Sequence, residues 1–189
     1  MKYVTTILTL LLLAFLSACN EKRIVVEQEV EVYIKDMPAH PAMLQQVDND
    51  LNFWQGRLTE RPDATSAQVK VAGLLIKRFQ YTGNIMQLHE ADSLYQLANS
   101  LIKQNGSSVY RALAANAITQ HQFLKAKNYL DSAYNLGDDK YLTILMQFDV
   151  AIELGNYALA EKKLLALKKE NDFDYLIRAA KYQDHVKGN

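Results

Sequence analysis

Alanines at positions 91, 126 and 160 recur at a nearly constant interval, and each opens the same apolar pattern: Ala91, Tyr95, Ala98; Ala126, Leu130, Ala133; Ala160, Leu164, Leu167. Before each comes a turn, and before the turn another apolar stripe at spacings of three and four. These stripes are Ala72, Leu75, Ile76, Phe79 ahead of Gly83-Asn84; Tyr110, Leu113, Ala114, Ala117 ahead of His121-Gln122; and Ile144, Phe148, Ala151 ahead of Gly155-Asn156-Tyr157. Spacings of three and four place residues on one face of a helix, so the chain reads as paired amphipathic helices recurring at a fixed period. An ordinary helical bundle could meet the spacing alone. The alternation of small residues, which let helices approach closely, with bulky ones that fill the space beside them favours stacked repeats.

From about Val69 to Leu167 this pattern resembles the tetratricopeptide repeat, a helix-turn-helix unit of about 34 residues. The resemblance implies an all-α, right-handed helix-turn-helix solenoid over residues 64–170, preceded by an N-terminal helix in 39–63 and followed by a capping or half-repeat helix in 171–189. Met43, Leu44, Val47, Leu51, Trp54 and Leu58 carry the first of these helices over about 42–60, and Arg61-Pro62-Asp63 ends it. Asp172 is placed to cap the last. Three features depart from the family pattern: the turn after Gly83 is three residues longer than that after Gly155, no proline separates the repeats, and Gln147 stands where an apolar residue is expected.

Residues 1–18 read as a secretory signal. Lys2 is their only charge, Ile7 to Leu16 are mostly apolar, and small residues lead up to Cys19. Ten apolar residues span about 15 Å as a helix, roughly half of a bilayer core, which is too short for a permanent span. Leu16-Ser17-Ala18-Cys19 resembles the bacterial lipobox, which implies cleavage before Cys19 and lipidation of its sulfur. An ordinary signal peptide with an accidental cysteine after the cut is the alternative. Cys19 is the chain's one cysteine, so no disulfide framework and no cysteine metal site is expected. Residues 19–38 then form an extended tether, partly alternating in polarity from Ile24 to Lys35. A docking strand is the alternative there, although a lone strand lacks a sheet. Asn20 is not the aspartate associated with inner-membrane retention in enterobacterial lipoproteins, which favours the outer membrane.

Cleavage would remove one of 21 basic side chains and none of 21 acidic ones, leaving a net charge of −1. That balance offers no footprint for nucleic acid or acidic lipid. Catalytic motifs are incomplete. His89-Glu90-Ala91-Asp92-Ser93 begins like a zinc-protease helix but has serine where the second imidazole is needed. His40, His89, His121 and His185 are scattered, the seven glycines form no phosphate-cradling loop, and no Gly-x-Ser-x-Gly elbow occurs. Asp48 with Asp50, and Asp138 with Asp139, read as acids at helix starts or turns. No enzyme activity, metal or cofactor is expected.

What the resemblance implies instead is a protein or peptide partner held in a groove lined by the first helix of each pair. The expected contacts are Lys77 and Tyr81, Arg111 and Thr119, Leu145 and Asp149, with Tyr182 closing one end. The expected role is a lipid-anchored envelope scaffold or adaptor. Capture of a glycan or small molecule for a transport system is the second function class.

Overall fold

A computed structural model describes residues 41–102, 106–168 and 171–187, and among these the chain is all-α, eight helices with no strand. They are α1 (Pro41–Glu60), α2 (Thr65–Thr82), α3 (Met86–Leu101), α4 (Ser107–Thr119), α5 (Phe123–Leu136), α6 (Lys140–Glu153), α7 (Tyr157–Ala166) and α8 (Phe173–Lys187). The signal segment, Cys19, the tether and His40 lie outside the described residues.

Each helix packs on the next in the chain, and α8 also packs on α6. The core accordingly runs as three successive clusters. Leu51, Val71, Leu75, Tyr95 and Leu113 join α1 to α4; Ala114, Ala117, Ala126, Leu130 and Val150 join α4 to α6; Phe148, Ala151, Ile152, Ala160 and Leu164 join α6 to α8. The alanines at 91, 126 and 160 are all fully buried. A methyl group is the largest side chain that leaves the paired backbones this close, and the neighbouring Tyr95, Leu130 and Leu164 fill the remaining volume.

Two of the turns within pairs share one pattern of hydrogen bonding. Gln122 N–H donates to the Ala117 carbonyl at 2.8 Å and His121 N–H to Ile118 at 2.9 Å; in the next helix pair, Asn156 donates to Ala151 at 2.8 Å and Gly155 to Ile152 at 2.9 Å. This is the Schellman closure, which requires a left-handed residue after the helix. His121 (φ 56°) and Gly155 (φ 67°) supply it. The longer turn after α2 uses the simpler closure, with Gly83 N–H donating to Phe79 at 2.8 Å.

A Cβ on Gly155 would meet no neighbour within 4 Å, so substitution there costs only backbone strain. Gly155→Ala is expected to lower stability by about 1 kcal/mol. His121→Gly should raise it by about 0.5 kcal/mol, the released strain being partly offset by loss of the edge-on His121–Phe123 ring contact at 5.6 Å. Urea unfolding of the two variants measures the signs, and equal signs would mean that the two turns are not equivalent.

The remaining caps follow residue chemistry. Asp139 accepts from Leu142 N–H, Asn156 from Leu159 N–H, and Asp172 from Tyr175 N–H, the last as the sequence predicts. Asp48 differs from expectation. It sits within α1 rather than at a helix start, and binds Arg78 of α2 at 2.7 Å. No described helix is long and apolar enough to cross a membrane.

Candidate functional site

The expected groove residues differ in burial and in partners. Lys77 and Thr119 project from α2 and α4 without entering any core cluster. Tyr81 is half-buried, its hydroxyl 3.9 Å from the Met43 sulfur. Tyr182 packs against the third core cluster.

Arg111, 11% exposed, is a latch. Its Nη1 donates to the Asp138 carbonyl at 2.9 Å and lies 3.4 Å from Thr143 Oγ1, while Nη2 is 3.9 Å from the Asp139 carboxylate. Asp149 is held by Arg178 of α8 at 2.6 Å, at the edge of a cleft with Ile118, Phe123 and Lys181. Leu145 corrects the sequence expectation outright. It is 4% exposed and cannot line a groove, because α6 is flanked by α5, α7 and α8 and buries more than one stripe.

A better-formed cleft lies between α5, α6 and α7, with a volume of about 400 Å³. Leu124, Leu130, Val150, Ala151, Leu154 and Leu159 form its apolar walls. Its polar groups are Lys127, Asp131, Lys163, Gln147 and Asn156. The Asp131 carboxylate ties two of them together, accepting from Lys127 Nζ at 2.8 Å and from Gln147 Nε2 at 3.1 Å. Gln147 is 6% exposed, and its Oε1 is buried without a hydrogen-bond partner. A buried amide oxygen left unpaired costs about 1–3 kcal/mol, and Gln68 Oε1 and Asn116 Oδ1 are buried in the same way.

Lys163 adds to the polarity of the cleft. Its ammonium lies 4.7 Å from the centre of the Tyr134 ring. Burial pulls its pKa below the usual lysine range; Asp131 opposes the shift, and Lys162 and Lys127 reinforce it. Two ammonium groups thus meet one carboxylate around apolar walls. Pockets of this size and make-up, mostly apolar with few convergent polar groups, are the usual form of ligand sites.

Of these residues, the sequence marks only Gln147 as out of pattern, and attaches no function to it. Lys127, Asp131 and Lys163 carry no separate signal, since charged residues on a helix face read as solvated. Comparison with models of known families finds no match, and neither does comparison with curated proteins.

Proposed function

We propose that this protein is a lipid-anchored scaffold or adaptor of the bacterial cell envelope, whose tetratricopeptide-like solenoid binds a protein or peptide partner and catalyses no reaction. The single observation that carries the reading is the recurrence, from one helix pair to the next, of the same turn closure between helices whose small and bulky residues alternate in the same order. Stacked helix pairs of that kind present extended surfaces and are built for binding. The address rests on the lipobox-like Leu16-Ser17-Ala18-Cys19. An acyl chain contributes about 0.8 kcal/mol per buried methylene, so the several chains of a lipoprotein suffice without a basic patch.

Cys19→Ser is expected to move the protein from the membrane fraction to the soluble fraction with its helical circular dichroism unchanged. A variant that stays in the membrane fraction contradicts the anchor. Affinity purification from detergent-solubilised membranes should return a stoichiometric protein partner. A hydrolytic activity abolished by one carboxylate substitution would overturn the non-catalytic reading. The α5–α6–α7 cleft favours a second reading, capture of a small ligand at the outer membrane, in which purification would retain that ligand instead.

A further inference from the structure

The stacked helices have two edges of opposite character. Consecutive helices joined by short turns run antiparallel, so the starts of α1, α3, α5 and α7 share one edge with the ends of α2, α4, α6 and α8. Contacts along that edge agree. The Tyr81 hydroxyl lies 3.9 Å from the Met43 sulfur, Asn116 Nδ2 donates to the Leu88 carbonyl at 2.9 Å, and Leu124 and Leu154 wall one hollow.

This edge is built from uncharged sequence. Residues 41–47, 79–89, 112–124 and 154–160 contain no Asp, Glu, Lys or Arg. Met43, Ile85, Met86, Leu124 and Tyr157 stand exposed on it, Met86 by 64% and Leu124 by 69%. Two charges that border these runs are paired, Lys125 with Asp92 at 2.9 Å and Glu153 with Lys181 at 3.0 Å. The end of α8 departs from the pattern, with Asp184 near Val186.

The opposite edge also exposes large apolar residues, such as Leu136 and Phe173, but sets them among charges: Arg61 and Asp63, Asp138 to Lys140, Asp172 and Asp174. Scattered apolar residues are ordinary on a protein surface. Charge-free turns aligned along one edge are not accounted for by solubility.

We propose that this uncharged edge rests on the lipid bilayer, its exposed side chains reaching into the headgroup layer while the charged edge faces solvent. The proposal rests on the lipid anchor at Cys19 and adds how the anchored helices are oriented. Isoleucine, leucine and methionine gain by leaving water, and tyrosine favours the membrane boundary, where its ring is covered and its hydroxyl stays wet. With no charge to desolvate, nothing in the four runs opposes the approach. The point of entry fits as well. The chain coming from Cys19 joins α1 at Pro41 on this edge, and the 20 residues of α1, about 30 Å, separate that point from the charged edge. A few side chains on separate turns make a weak contact. It suffices when an acyl anchor keeps the edge at the surface, and does not hold a protein without one.

The test uses the lipidated full chain in phosphatidylcholine vesicles, with a single nitroxide label per variant. With Cys19 acylated, the introduced thiol is the one site of labelling. Met86→Cys, Leu124→Cys and Tyr157→Cys report on the uncharged edge, Leu136→Cys and Phe173→Cys on the charged one, all at exposed positions. Dissolved oxygen concentrates in lipid, and a nickel chelate stays in water. The ratio of oxygen to chelate collisions should be about tenfold higher in the first set than in the second, as for side chains about 5 Å into the boundary layer. Adding Met86→Glu and Tyr157→Glu should lower the ratio at position 124 to the solvent value, with helical circular dichroism and flotation with the vesicles unchanged.

Protein that floats with the vesicles but gives the solvent ratio at all of these positions overturns the orientation and leaves the anchor standing. Protein that does not float overturns both. A label at position 124 screened from oxygen and chelate alike means that a protein partner or a second copy covers the edge, and overturns the proposal too.

Discussion

Phe148→Ala is expected to remove about 3–5 kcal/mol of stability, the usual cost of deleting a buried aromatic side chain and leaving part of its volume empty. Phe148 is fully buried and belongs to the cluster that joins α6 to α8. The damage should be local. The principal contacts run from each helix to its chain neighbours, so α1, α2 and α3 share few interactions with the emptied site. Hydrogen exchange should therefore accelerate strongly in α6, α7 and α8 while α2 and α3 keep most of their protection. Uniform acceleration from α1 to α8 would show one cooperative core and contradict the sequential clusters.

Arg111→Met should cost about 2–3 kcal/mol, the range for hydrogen bonds made by a charged group at a largely buried site. The guanidinium gathers the Asp138 carbonyl and Asp139 from the turn between α5 and α6 and Thr143 from the first turn of α6, and so fixes how the third helix pair leaves the second. Arg111→Lys should recover little of the loss, because one ammonium cannot span acceptors spread along a turn. Urea unfolding measures both variants. If Arg111 served a groove ligand instead, stability would hold and only partner binding would fall.

The helices, their pairing and two of the tight turns are legible in the sequence because each depends on local periodicity or on a turn residue such as Gly155. Alanines at fixed spacing also announce close packing, and Ala91, Ala126 and Ala160 are indeed fully buried. Side-chain partnerships are not legible. Arg111 with Asp138, Lys125 with Asp92, and Arg178 with Asp149 each join residues 27 to 33 apart, and no linear pattern says which exposed-looking charge will find which.

Leu145 misleads for a related reason. A face assignment assumes one buried stripe, but α6 has helices on three sides and buries Thr143, Leu145 and Gln147 along with its expected residues. The cleft is half legible: Gln147 breaks the apolar pattern in the sequence, but that it lines an open volume and bonds Asp131 follows only from the packing of α5, α6 and α7.

The three core clusters, strung along the chain in order, also bear on how this protein acquires structure. Native contacts that join helices adjacent in the sequence close short loops, and chains of this kind fold on the microsecond to millisecond scale. A segment needs only its immediate neighbours to become ordered. If the polypeptide emerges N-terminus first from a pore or a ribosome, α2 can settle on α3 while α6 is still inside. The α5–α6–α7 cleft is then among the last features to form, and a chain that stalls short of α7 carries the earlier helix pairs but no such cleft.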